Sequence, residues 1–432
     1  MGPSDPQLDP AMASPMRELA EDEAVGVVNA LLETGNLPLA NYLVRDALDV
    51  HPGSAALRYL LAAIAGAVGR LEDSRRFLRE VLAMSPGFEA ARQELEAIEE
   101  ESTSSQTSEP SAGRFLLIRA WGFGFWSDVS HVLSQLLLAE ITNRVPVVHW
   151  GTESLFSDGQ GDAFRRFFNP VSAVVLDDLR TIEGGFFPPK WNRDSISGPG
   201  LHKFDGEWSR MDAIYFLNRP EAVLVADFFT GVAGLLPWLP EGHPSSGRTP
   251  VDVMRGLAAT YLQPSPPVVE QIGAFERARL AGRRWVAVHM RGSDKVLEFD
   301  ELAKVNEEIM LETDRLVERE HDLAILLLTD DSRLVERAST RWGSRMVTTD
   351  VSRTSSRIGV HYLKDADPIT LGREVLVDAL VATRCEWFIG NGQSNVAAMI
   401  ECLKEWPAGR CTLVRPSLFA RPNLFLHFDT SR

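Results

Sequence analysis

The sequence predicts an α/β protein, with two doubly wound, Rossmann-like domains preceded by a small all-α repeat domain. Three observations predict it. A 34-residue period of paired amphipathic helices fills residues 16–101. A short polar, aperiodic stretch follows at residues 102–113. From Arg114 onward, short buried strands alternate with helical patterns, the signature of parallel sheets wrapped by helices. The chain has 432 residues, more than one core ordinarily serves, so two or three domains are expected.

The repeat comes first. Gly35 and Gly69 stand 34 residues apart, as do Leu37 and Leu71, Leu48 and Leu82, and Pro52 and Pro86. Each unit reads as an apolar helix, a glycine turn, a second apolar helix and a proline. Ala40 and Ser74 occupy equivalent positions where two helices must approach closely. Residues 88–101 (FEAARQELEAIEEE) read as a closing amphipathic helix with a charged outer face. This period and layout resemble tetratricopeptide repeats. Two units and a cap suit a docking or dimerisation platform for a second copy or a protein partner. Residues 1–15 read as a disordered tail, and residues 102–113 (STSSQTSEPSAG) as a flexible linker.

The α/β region divides into an acceptor-side domain at residues 114–265 and a donor-side domain at residues 266–432. Strands are predicted at residues 115–118 (FLLI), 145–149, 173–176 (AVVL), 285–289 (WVAVH), 324–328 (AILLL) and 387–389 (WFI). Residues 186–243 are rich in Pro, Gly and Trp and weakly periodic, so they read as an irregular functional surface on the acceptor side.

Composition narrows the partners. The formal net charge of −16 repels phosphate backbones and anionic lipid, so nucleic acid is excluded as a partner class. Three cysteines, Cys385, Cys402 and Cys411, form no CxxC pair and fit a reducing cytoplasm. The N-terminus lacks a basic segment followed by an apolar one, so no signal peptide is read there. The apolar runs are strand length and too short to span a bilayer. A soluble, cytoplasmic protein is expected.

Four segments carry candidate chemistry. Trp121-Gly122-Phe123-Gly124-Phe125-Trp126-Ser127-Asp128 lies between a strand and a helix. Its glycines let backbone N–H groups approach an anion at a helix N-terminus, although a tight turn needs glycine in any case. Asp128 is a helix cap or a base. The second segment places His289, Arg291, Asp294 and Lys295 at the carboxyl edge of a buried strand, the edge where open α/β sheets bind ligands. Arginine offers a planar fork of donors suited to a diphosphate, and lysine adds a point charge. A surface ion-pair knot of Arg291, Asp294 and Lys295 is the alternative.

The third segment, Thr329-Asp330-Asp331, again ends a buried strand. Its carboxylates suit a ribose, a base edge or a metal, or they cap the following helix. No HxH, HEXXH or clustered His/Asp/Cys set accompanies them, so no metal is expected. The fourth pairs Asp378, in a helical pattern, with Asn391-Gly392-Gln393-Ser394-Asn395, a polar turn that opens another helix and offers a second anion cradle.

In this order the segments resemble the α1,6-fucosyltransferase and protein O-fucosyltransferase superfamily. The matching pieces are WGFGFW, His289-Met290-Arg291-Gly292-Ser293-Asp294-Lys295, Thr329-Asp330-Asp331, Leu376-Val377-Asp378 and Gly392-Gln393-Ser394-Asn395, with minor echoes at Phe168-Asn169-Pro170 and Gly359-Val360-His361. The resemblance implies a GT-B-like scaffold and metal-free, inverting transfer of fucose from GDP-fucose, a co-substrate, with no cofactor. It implies that Arg291 holds the β-phosphate and that His289 and Asp378 contact guanine. Gly122, Phe123, Gly124, Asp294, Lys295, Asp330, Asp331, Gln393, Ser394 and Asn395 complete the implied donor site. The α1,6 members carry a second arginine where Gly292 stands, so the likeness extends to donor binding and not to that linkage. Glu298 is the first candidate base, and Asp128 the second. Repeats joined to such a region also resemble nucleocytoplasmic protein glycosyltransferases, so the acceptor is expected to be a glycan or a protein. Two other readings stay open: a different nucleotide sugar, or a non-catalytic repeat scaffold.

Overall fold

The computed structural model describes residues 16, 18–102, 113–201, 203–204, 206–292, 301–356, 359 and 366–420. The expected tail at 1–15 and the linker residues 103–112 lie outside the described residues.

Five helices build the repeat region: α1 (Glu21–Glu33), α2 (Leu37–Val50), α3 (Ala55–Ala67), α4 (Leu71–Met84) and α5 (Glu89–Ser102). The 34-residue period has a backbone cause. Gly35 and Gly69 both take φ +74°, a conformation that glycine adopts without steric cost. The residue after each donates back to the preceding helix, Asn36 N–H to Leu31 O at 2.9 Å and Arg70 N–H to Ala65 O at 2.8 Å. This is a Schellman closure. Ala40 and Ser74 are fully buried, and the Ser74 hydroxyl donates to Ala62 O at 3.1 Å.

The side of this region carrying α2 and α4 does not face solvent. Arg70 donates to Leu217 O and Trp238 O, and Arg76 to Leu239 O at 2.9 Å and Pro237 O at 2.7 Å. Asn218 Nδ2 donates to Gly69 O, and Phe77 meets Trp238 edge-on. That surface of the expected docking platform is therefore engaged by the chain itself.

Two parallel sheets follow. In the first, β1 (Phe115–Arg119), β2 (Val145–His149), β3 (Phe186–Phe187) and β4 (Val223–Ala226) lie in the order β2-β1-β4-β3. In the second, β5 (Arg284–His289), β6 (Leu323–Leu328), β7 (Met346–Thr348), β8 (Trp387–Gly390) and β9 (Cys411–Leu413) lie in the order β7-β6-β5-β8-β9. β5 and β6 are buried almost throughout, as parallel strands covered on both faces must be. The chain order reverses between β1 and β4 and between β5 and β8, so each sheet has a switch point at its carboxyl edge.

Two expectations need correction. Residues 173–176 form no strand; helix Leu176–Leu179 begins there, with Val175 N–H held by Asp178. Their apolar side chains are largely half-buried or exposed, and the sheet position beside β1 belongs to β4. Conversely, the segment expected to be irregular contains β3 and β4. The central strand β4 has only four residues, set in a Pro- and Gly-rich context that hides its periodicity.

Candidate functional site

The carboxyl edge of the second sheet gathers most of the expected donor residues. His289 ends β5 and is 4% exposed. Burial, with the Arg291 guanidinium beside it, pushes its imidazole down to about 4, so the ring is neutral. Two positions on, Arg291 Nη1 pairs with Asp330 Oδ2 at 2.7 Å. The other oxygen of Asp330 accepts the Gly292 N–H at 3.1 Å, and Asn306 Nδ2 donates to Arg291 O at 2.8 Å. One carboxylate thus fixes both the guanidinium and the backbone that carries it. Asp294, Lys295 and Glu298 lie outside the described residues, as do Val360 and His361.

Asp331 does different work from its neighbour. It caps the helix Ser332–Trp342, accepting from Arg333 N at 2.8 Å, and pairs with the Arg333 guanidinium at 2.6 Å. Its side chain also explains Gly292. A Cβ at position 292 would stand 2.4 Å from Asp331 Cβ and 2.5 Å from its Oδ2, so a second arginine has no room here while Asp331 holds the cap.

On the other side of the switch point, Gly390 ends β8 and the turn to helix Asn395–Cys402 begins. Gly392 is required by contact, because a Cβ would meet Arg415 O at 2.2 Å. Gln393 Nε2 donates to Pro416 O at 2.5 Å. Ser394 is the N-cap residue, yet its hydroxyl makes no cap hydrogen bond. Ser394 and Asn395 are half-buried at this helix N-terminus, where the dipole favours an anion. Asp378 stands further away in the sheet order, beside Thr349 and Arg353 just past β7, the edge strand two places from β5. Burial pushes its carboxyl up to about 7.

The carboxyl edge of the first sheet holds a cluster that single-sequence reading missed, apart from Asp128. Arg119 ends β1 with no exposure and pairs with Glu153 at 2.8 Å. It also donates to Ile196 O at 2.7 Å and Gly198 O at 2.6 Å. Asp227, directly after β4, pairs with Lys190 at 2.7 Å, both buried. Lys203 Nζ donates to Ala120 O and Trp121 O, each at 2.9 Å. Three cations thus tie Lys190, Ile196, Gly198 and Lys203 to the sheet edge. The available signal was two strand ends, FLLIR and VLVAD, each closing on a charge.

Asp128 is fully buried in the first turn of helix α6 (Phe125–Ile141). Its Oδ1 accepts Gly122 N–H at 2.8 Å and Phe123 N–H at 3.3 Å. The loop amides read as a phosphate cradle are therefore taken by the chain's own carboxyl, which burial pushes up to about 7. Gly122 has φ +91° and lies so near Glu153 O that a Cβ would sit at 2.8 Å. Gly124 serves as the N-cap of α6 without a side-chain bond.

No protein-family model matches the sequence, and no curated protein matches it. The solved structures to which the chain is similar include fucosyltransferases, each at low identity. NodZ α-1,6-fucosyltransferase co-crystallised with GDP shares 18% identity, with 67% of this chain and 92% of that chain covered and a TM-score of 0.46. POFUT1 in its apo form shares 14% identity over 71% of this chain and 99% of that one, with a TM-score of 0.42. A point mutant of FUT1 from Arabidopsis thaliana in complex with GDP shares 11% identity over 76% and 77%, also with a TM-score of 0.42.

Proposed function

We propose that the chain is an inverting, metal-independent glycosyltransferase that transfers fucose from GDP-fucose to a hydroxyl of a glycan or protein. The observation that carries this reading is Arg291, fixed through Asp330 at the switch point of the second sheet. Across that switch point stands the helix N-terminus, where the Ser394 hydroxyl makes no cap hydrogen bond. A diphosphate bridging the two would meet a guanidinium fork on one side and a helix dipole on the other. The choice of GDP-fucose rests on the motif order and not on the site geometry.

In the proposed transfer, the acceptor oxygen forms a bond to the sugar anomeric carbon from the face opposite the phosphate. The bond from that carbon to the β-phosphate oxygen breaks, and its electron pair leaves with GDP. Arg291 stabilises that oxygen as charge develops, which is where fixed electrostatics act most strongly. Glu298 is proposed to take the acceptor proton. Asp128 is less suited to that role, because it is buried and holds the loop amides. His289, neutral and buried, is proposed to read the base together with Asp378. Among the described residues no group of three metal-binding side chains occurs, and the charge work is assigned to Arg291.

Among the described residues no helix is long and apolar enough to cross a membrane. All three cysteines are unpaired, and a cytoplasmic location is proposed on that basis. The test is GDP release from GDP-fucose with and without a chelator, in wild type and Arg291→Ala. Turnover that persists with chelator and is lost in the variant supports the reading. A protein that neither binds nor hydrolyses GDP-fucose refutes the donor, and turnover retained in Arg291→Ala refutes the site.

A further inference from the structure

We infer that the aromatic cluster at the switch point of the first sheet is a carbohydrate platform that receives a pyranose ring of the acceptor. Calling it an acceptor site rests on the glycosyl-transfer reading; its affinity for a sugar does not.

Trp121, Phe123, Phe228 and Phe229 form an apolar cluster separate from the main core. Trp121 and Phe123 follow β1, and Phe228 and Phe229 follow β4, the two strands between which the sheet order reverses. Phe204, from the tied-down segment, joins them. Ring centroids lie 4.7 Å apart for Trp121 and Phe123, 5.0 Å for Trp121 and Phe228, and 5.7 Å for Trp121 and Phe204.

This packing is unusual because it does not end in the interior. Phe204 is 40% exposed, the one aromatic among the exposed large apolar side chains of the described residues. Phe123 is half-buried and meets Phe204 edge-on at 6.4 Å. Two ring surfaces are thus held at the edge where an α/β sheet takes its ligand, with Lys203 and Trp121 fixed behind them.

Asp227 Oδ1 and Thr230 Oγ1 bracket Phe228 and Phe229 in sequence, are at least 95% buried by residue, and have no hydrogen-bond partner. Buried polar atoms rarely stay unpartnered. Ring faces held at a ligand-binding sheet edge match a sugar, which offers an apolar C–H face to stack on them. A peptide fits less well. β1 and β4 are central strands, so no open sheet edge adjoins the rings for strand addition. A patch of one exposed and one half-buried ring is also smaller than the spaced anchors of a bound helix.

The test is retention of the full-length protein on an immobilised panel of neutral cello-, malto-, galacto- and manno-oligosaccharides, with a Ser/Thr peptide panel alongside. Wild type, Phe204→Ala and Phe204→Asp are compared, and GDP binding is titrated for each. The expected result is retention of wild type on at least one sugar, about tenfold weaker retention of both variants, and unchanged GDP affinity. Retention on no sugar, on the peptides alone, or equally by all three proteins overturns the platform. If GDP binds none of the proteins while ring-dependent sugar retention persists, the transfer reading falls and the carbohydrate site stands.

Discussion

Replacing Gly292 by alanine adds a single methyl group where the Asp331 side chain already sits. The added carbon would stand 2.4 Å from Asp331 Cβ, 2.5 Å from Oδ2 and 2.8 Å from Cγ, against an ordinary separation of about 3.5–4.0 Å. A shift of an ångström or more must be taken up somewhere. If Asp331 yields, the cap on helix Ser332–Trp342 is lost, which costs about 1 kcal/mol. The pair with half-exposed Arg333 adds little, because solvent screens it. If position 292 yields instead, its N–H leaves Asp330 and Arg291 is re-aimed, at about 1–3 kcal/mol for the broken charged hydrogen bond. Gly292→Ala is therefore expected to lose about 1–3 kcal/mol in urea unfolding. Asp331→Gly removes the Cβ together with the carboxylate and alone is expected to lose under about 1 kcal/mol. In the double variant every atom that clashes with position 292 has gone, so the two costs should not add, leaving a coupling of about 1 kcal/mol or more. A Gly292→Ala protein as stable as wild type, or strict additivity of the two substitutions, would refute the account of why glycine stands here.

Two further outcomes follow from buried charge. The Asp378 carboxyl is pushed up to about 7 in the fold, against about 3.9 unfolded. The folded state therefore keeps a proton that the unfolded chain has released, and this contribution is full below pH 4 and is lost as pH rises through 7. Asp378→Asn should remove that proton difference, so its stability relative to wild type should rise by up to about 1.4 kcal/mol per pH unit between pH 4 and 7; a constant offset across that window would contradict it. Neutral His289, held down to about 4, acts in the opposite sense and loses its contribution as pH falls from about 6.5, so the wild-type profile alone is not diagnostic. At the repeat interface, Arg76→Ala removes two hydrogen bonds to the carbonyls of Leu239 and Pro237 and should cost about 2–3 kcal/mol. Arg79, 61% exposed and paired with Glu99, is the control and should change by under about 0.5 kcal/mol; equal effects would show that the repeats are not fastened through Arg76.

Legibility in the sequence followed burial and contiguity. β5 and β6 were readable because strands covered on both faces become unbroken apolar runs. The repeat was readable because two glycines with the same left-handed duty recur at a fixed spacing. AVVL misled because apolar composition is shared by a buried strand and by a half-exposed segment leading into a short helix. β4 was invisible because four residues are too few to show a period.

At the sites, Arg291 and Asp330 were visible as strand ends, but their mutual pairing was not, since it depends on β5 and β6 being neighbours in register. The division of labour between Asp330 and Asp331 likewise needed coordinates, since either could cap. The first-sheet cluster draws Arg119, Asp128, Glu153, Lys190, Lys203 and Asp227 from well-separated stretches, and no local motif links them. The loop amides around Gly122 matched an anion cradle in sequence, yet the competitor that takes them, Asp128, sat a few residues on, within that same segment.

The central claim is that Arg291 anchors a nucleotide diphosphate. Calorimetric titration of the full chain with GDP, GDP-fucose and UDP, in wild type and Arg291→Ala, tests it most directly. The account predicts that GDP and GDP-fucose bind wild type more tightly than UDP. It also predicts that Arg291→Ala weakens GDP by about 10- to 100-fold, the loss of one charged hydrogen-bonding group. GDP binding of equal strength in both proteins, or no binding of any of the three nucleotides, would contradict it.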